Sequence, residues 1–376
     1  MSRPIYLDYN ATTPVAPEVV EAMLPYLRER FGNPSSGHLY GREAREGVEA
    51  ARARVAGLLG AQPDEVVFTG GGSESDNLAI KGVALAHANR GRHIITSAIE
   101  HPAVLNTCRY LADRHGFRVT YLPVDGHGLV DPNDVRRAID PGTILITIMH
   151  ANNEVGTIQP VEEIGEIARE RGILFHTDAA QSAGKIPTDV SRLQVDLLTV
   201  AGHKLYAPKG IGALYVRHGV KLDPLVHGAG HEGGRRAGTE NVAYMVGLGV
   251  ACEMAVRLMN GEADRLRRLR DLLHRLLQEN IPGLVLNGHP GHRLPNTLNV
   301  SIPGVEGERL LAALPGIAAS TGAACHAGTA EPSAVLTAMG VSRHLALSAL
   351  RLSLGRYTTE AEVKEAARLI TEQARG

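Results

Sequence analysis

Lys204 stands in Gly202-His-Lys-Leu-Tyr-Ala-Pro-Lys-Gly210, directly after the run Asp196-Leu-Leu-Thr-Val200. Such an apolar run reads as a buried strand. A lysine just past its end sits at a sheet edge, where α/β proteins hold ligands. Partial burial there disfavours the ammonium and frees the amine as a nucleophile. Its chemistry is a Schiff base, with a carbonyl substrate or with pyridoxal phosphate (PLP). The same residue reads equally well as a surface lysine in a turn before Pro-Lys-Gly. Cys325 is the second candidate nucleophile. It lies in Ala318-Ala-Ser-Thr-Gly-Ala-Ala-Cys-His-Ala-Gly-Thr-Ala330, whose small residues predict a mobile segment. A nearby base or cation would lower its pKa. Cys108 and Cys252 fall in helical apolar patterns and are expected to be buried structural thiols.

Other polar groups also follow apolar runs. Gly70-Gly-Gly-Ser73 precedes a helix, and its bare amides and hydroxyl suit an anion such as phosphate. The alternative is a tight turn with a serine cap. It is neither the dinucleotide fingerprint nor the P-loop. Asp178 follows the run Ile173–His176 and could hold a pyridine nitrogen protonated, or simply cap the next turn. His101, before Pro102, could stack on a planar ring or move protons, or be structural. Asn153 and Gln181 are neutral groups at the same edge. Arg351 alternates with Leu350 and Leu352, so it projects to one face of a strand, where a guanidinium grips a carboxylate or faces water.

These residues need a scaffold. Short apolar runs at 66–68, 93–96, 118–122, 143–149 and 173–176 alternate with helical patterns, and runs at 195–200 and 211–216 close the series. That rhythm predicts a mostly parallel mixed sheet flanked by helices. The chain opens with a short strand at Ile5 and a helix begun by Pro17, and a further helix spans 42–59. A long helical region over 241–277 is followed by short strands and helices, which read as a smaller α+β domain. The expected division is 15–258 for the large domain, with 1–14 and 259–376 forming the small domain that carries Cys325.

The 376 residues include 44% hydrophobic side chains, enough for a large core, which must be aliphatic because tryptophan is absent. Lys plus Arg is 39 against 40 Asp plus Glu, so the basic footprint of a nucleic-acid binder is missing. The 17 histidines are scattered, with no metal motif. Three widely separated cysteines form no disulfide or zinc framework and point to a reducing, cytoplasmic setting. No leader and no membrane span of eighteen apolar residues is read.

Several motifs together resemble the cysteine desulfurases, PLP enzymes of the class-V aminotransferase family with aminotransferase fold type I. They are Phe68-Thr-Gly-Gly-Gly-Ser-Glu-Ser-Asp-Asn77, Glu100-His101, His150-Ala-Asn-Asn-Glu-Val-Gly156, His176-Thr-Asp-Ala-Ala-Gln181, Gly202-His-Lys204 and Arg236-Ala-Gly-Thr239. The likeness runs from Tyr6 to Thr359. It implies that Lys204 carries PLP as a Schiff base and moves a proton. It implies Asp178 on the ring nitrogen, His101 stacked on the ring, and Asn153 and Gln181 on ring substituents. Gly72, Ser73 and His203 would bind the phosphate, with Thr239 reaching across from the partner subunit of a homodimer. Arg351, Asn153 and Asn10 would bind L-cysteine. Cys325 would take its sulfur as a persulfide for an acceptor protein, leaving alanine.

This chain departs from the family pattern at three places. Ala201 stands where the family often has a serine that binds phosphate, and Thr199 or water is expected to replace that contact. Ala-Cys-His-Ala around Cys325 also resembles the selenocysteine lyases, although the spacing to Glu331-Pro-Ser matches the long-loop desulfurases. The chain ends at Gly376, without the extension by which housekeeping desulfurases engage an iron–sulfur scaffold. A selenocysteine lyase, or another PLP lyase or aminotransferase of this fold, is the alternative.

Overall fold

The computed structural model describes residues 3–321 and 331–375. The chain enters through β1 (Ile5–Tyr6), α1 (Pro17–Arg28) and α2 (Leu39–Leu59). Proline at the first position starts α1, where its missing N–H is no loss. The second helix begins three residues before the expected Arg42, because the His38 side chain accepts the Gly41 N–H and caps it there.

Strands and helices then alternate: β2 (Val66–Thr69), α3 (Gly72–Ala86), β3 (His93–Ser97), α4 (Pro102–His115), β4 (Arg118–Leu122), α5 (Pro132–Ala138) and β5 (Thr143–Thr147). The series continues with α6 (Val161–Arg171), β6 (Leu174–Asp178), α7 (Val190–Leu193), β7 (Leu197–Ala201) and β8 (Gly212–Val216). Seven of these strands form one sheet in the order β2-β8-β7-β6-β5-β3-β4. Pairs from β4 to β7 are parallel, whereas β8 runs antiparallel to both β7 and β2. Strands β2, β3, β5, β7 and β8 are buried along their whole length, as expected of a sheet covered on both faces. The edge strand β4 is half exposed.

Beyond the sheet, α8 (Val242–Asn280) runs 39 residues without a break. After it come β9 (Val285–Asn287), β10 (Thr297–Ser301), α9 (Gly307–Ala312), β11 (Ile317–Ala318), α10 (Ala334–Ala338), α11 (Arg343–Leu347), β12 (Ala349–Ser353) and α12 (Glu360–Arg375). Strands β12, β10 and β9 form an antiparallel sheet, and β11 pairs with β1. Two apolar cores touch α8. Met245, Leu248 and Cys252 join the core under the large sheet. Leu269, Leu273 and Leu277 join a second core with Leu7, Leu298, Leu350 and Leu352. By length and composition α8 could cross a membrane, yet most of its apolar stretch is buried inside the protein. Cys108 and Cys252 are buried, and burial raises the Cys108 thiol to about 12, so neither is a nucleophile.

Candidate active site

The parallel strands β3, β5, β6 and β7 end on one edge of the sheet, and the polar residues that follow them converge there. A cavity of about 730 Å³ lies at this edge. Asn10, Gly72, Ser73, His101, Asn153, Asp178, Gln181, His203, Lys204 and Arg351 all line it. Thr239 does not. It is exposed, three residues from Arg236, which pairs with Glu74 at the start of α3. Cys325 lies outside the described residues.

Lys204 follows β7 through a short 3-10 turn, Gly202–Lys204. Its Nζ donates to the carbonyls of Asn10 and Ala11, with the latter at 2.7 Å. Burial, then Arg351, lower its pKa to about 8, while Asp8 and Asp178 resist. An amine so placed is available near neutral pH. His203 beside it is lowered to about 4, first by burial and then by Lys204 and Lys209, so it is a neutral donor or acceptor. Lys209 also lines the cavity, and its position in a Pro-Lys-Gly turn gave no sign of this.

Asp178 closes β6. Ala180 N–H donates to its Oδ1 at 2.8 Å, and burial raises its pKa against the pull of His101 and Lys204. A buried carboxyl of this kind is relieved by a cationic N–H. His101 caps α4, its Nδ1 accepting the Ala103 N–H at 3.1 Å. The neutral ring then carries its proton on Nε2. Its pKa is lowered, chiefly by burial. The structural alternative for His101 therefore holds, and the capped ring lines the cavity.

Among the described residues no side chain caps the start of α3, which leaves its first amides for a ligand. The approach is tight. A Cβ on Gly72 would come within 3.1 Å of Ala201 Cβ. Thr199 does not replace the contact missing at Ala201. It is wholly buried, and its hydroxyl is 3.1 Å from His176 Nε2. That correction leaves the cradle without the hydroxyl.

Arg351, on β12, is nearly buried. Its Nη2 donates to Asp8 Oδ1 at 2.8 Å and its Nη1 to the Asn153 carbonyl at 3.3 Å, while Nε is buried with no partner among the described residues. The Asn10 side chain, expected on the substrate, is instead consumed within the protein. Its Nδ2 donates to the Asn153 carbonyl and to Thr297 Oγ1, and Asn296 Nδ2 donates to its Oδ1. Asn10 still lines the cavity, and its main-chain carbonyl there is held by Lys204 and Gln181. Two further groups went unmarked in the sequence. Glu154 accepts from Ser333 Oγ at 2.5 Å, and burial raises it to about 7. Lys185 donates to Gln181.

Among the described residues no cluster of His, Cys, Asp or Glu could hold a metal. The donor set fits PLP instead: an amine with its pKa lowered to about 8, a buried carboxyl for a ring nitrogen, a histidine ring on the cavity wall and an open helix start for a phosphate.

Residues 5–365 match the class-V aminotransferase family, and the chain belongs to it. Enzymes of that family are PLP-dependent. The chain is 52% identical to "Cysteine desulfurase IscS" of Dictyoglomus turgidum, over 96% of this chain and 92% of that one. It is 53% identical to the protein of the same name from Methanosarcina thermophila, over 99% and 92%. Among solved structures, a "NifS-like protein" superposes with a TM-score of 0.92 at 42% identity, covering 98% of both chains. "SspA in complex with cysteine" does so at 0.85 and 43%, covering 94% of this chain and 99% of that one.

Proposed function

We propose that this chain is an L-cysteine desulfurase. L-cysteine and the thiol of Cys325 yield L-alanine and a Cys325 persulfide. The Cβ–S bond of the substrate breaks, an S–S bond forms on Cys325, and the carbon keeps the electron pair and is protonated. No outside reductant enters until the persulfide is handed on. The observation that carries this reading is the cavity itself, where a lysine with its pKa lowered to about 8, a buried carboxyl and Arg351 line one space. The likeness to a structure holding cysteine supports the substrate.

Bound PLP supplies an electron sink for charge at the substrate α-carbon. Lys204 anchors it and takes and returns the α-proton. Asp178 holds the ring nitrogen, with the His101 ring against the face and Asn153 and Gln181 at the substituents. Gly72, Ser73 and His203 receive the phosphate, with Thr239 supplied by a second copy in a homodimer. Arg351 binds the cysteine carboxylate through the face that Asp8 leaves open. Residues 15–258 form the cofactor domain, and 1–14 with 259–376 the small one. The persulfide passes to an acceptor protein in the cytoplasm, where thiols stay reduced.

Purified Cys325→Ala should keep its cofactor absorbance and lose sulfide release from cysteine with dithiothreitol present. Normal sulfide release by that variant would defeat the mechanism. Alanine release from selenocysteine but not from cysteine would turn the reading to a selenocysteine lyase.

A further inference from the structure

Lys185 takes no part in the chemistry above, yet its amine reaches the wall of the cavity. Gly184, at φ +73°, makes the approach possible. A Cβ there would strike Leu205, the neighbour of Lys204, at 2.1 Å. The next residue, Lys185, turns its Nζ onto Gln181, donating to the main-chain carbonyl at 2.9 Å and to side-chain Oε1 at 3.1 Å. At the other end of the same amide, Gln181 Nε2 donates to the Asn10 carbonyl at 3.0 Å, the carbonyl that Lys204 also holds. Gln181 is almost wholly buried and lines the cavity.

An amide can present either an oxygen or a nitrogen to a ligand, and its neighbours decide which. Lys185 donates, so Oε1 turns toward it. The Asn10 carbonyl can only accept, so Nε2 turns toward that. The nitrogen has two hydrogens and spends one on Asn10. The other is left for the cavity.

We infer that Lys185 is a positioning residue: it fixes the Gln181 amide so that the cavity meets an N–H donor, suited to an anionic oxygen on the ring of the bound cofactor. The inference rests on the cavity being the PLP site. Burial and, secondarily, Lys204 lower Lys185 to about 7. Loss of its charge does not undo the arrangement, because a neutral amine still has two hydrogens for the two Gln181 oxygens. The other ionisable groups sharing the small space behind it are Tyr9, Tyr206 and the Glu262–Arg356 pair.

The test is a pH titration of the cofactor's visible absorbance in wild type, Lys185→Met, Lys185→Arg, Gln181→Ala and the Lys185→Met/Gln181→Ala double variant. A donor lost from an anionic ring oxygen raises that oxygen's proton affinity. Lys185→Met should therefore move the midpoint up by about one pH unit, the size of one charged hydrogen bond. Lys185→Arg, which can only donate, should stay near wild type. In the Gln181→Ala background, Lys185→Met should add nothing. A wild-type midpoint in Lys185→Met, or fully additive shifts in the double variant, would overturn the inference. Should Lys185→Met not fold, Lys185→Leu, which likewise offers Gln181 no donor, takes its place with the same two outcomes. Wild-type protein that binds no PLP would instead defeat the proposed function, and this inference with it.

Discussion

Arg351 Nη2 stands 2.8 Å from Asp8 Oδ1, so the guanidinium offered to a substrate already has a carboxylate partner. Its Nε is buried and has no partner among the described residues. Asp8 thus holds one edge of the group, and under the proposed function a substrate carboxylate would take another. It also acts at a distance on Lys204, whose ammonium it favours.

Asp8→Asn removes that support. The Lys204 amine should then be free at lower pH, so the rate at which apo-protein takes up PLP should reach its midpoint below the wild-type value of about 8. An unmoved or raised midpoint would show that Asp8 does not act on Lys204. Because the variant leaves Arg351 less well paired, it should also lose up to about 3 kcal/mol in denaturant unfolding.

The Glu154–Ser333 contact predicts a pH effect on stability. The folded pKa of Glu154 is raised to about 7, above the 4.5 of a free glutamate, by burial, with Ser333 and Arg351 acting the other way. Ionising it costs the folded state more than the unfolded one. Its contribution is whole below about pH 4.5 and is lost as pH rises through about 7. The stability difference between wild type and Glu154→Gln should therefore fall across that interval by about 1–2 kcal/mol, allowing for partial exposure. Chemical unfolding of both proteins at several pH values measures it, and a difference that is flat or rises with pH would refute the assignment.

Ala201→Ser should strengthen cofactor binding. The Ala201 methyl faces the space beside Gly72, at the open start of α3. A hydroxyl there gains a hydrogen bond to a charged phosphate, worth about 1.5–3 kcal/mol, or at least tenfold in affinity. PLP loss on dialysis, followed by absorbance, reads the change. An unchanged rate would mean that the phosphate lies elsewhere.

Much of this site could be read from the chain because the topology places it. Motifs that follow β3, β5, β6 and β7 must share one edge of a parallel sheet, so His101, Asn153, Asp178 and Lys204 could be assembled without coordinates. Local pattern also found Arg351, since a strand shows alternate faces. It could not find Asp8 as its partner, 343 residues away, because that pairing depends on how β12 packs against the first residues of the chain. The side-chain partners of Asn10, Asn296 and Thr297, were hidden for the same reason: they are distant, and only tertiary packing brings them to it. Lys185 was four residues from a marked residue, but no helical or strand period there fixes its direction. The reversal of β8 was equally hidden, since an apolar strand reads alike in either direction.

The helix α8 has a consequence for which amino acids can be gripped. The first half of this helix joins the core that holds Val200 and Leu205, which flank Lys204, and its second half the core that holds Leu350 and Leu352, on either side of Arg351. At 39 residues it is a rod of about 58 Å. The gap between the amine and the guanidinium is therefore held as by a caliper whose two jaws share one stem. Under the proposed function, a substrate would be gauged by length, amino end to carboxylate end, between jaws set on that one stem.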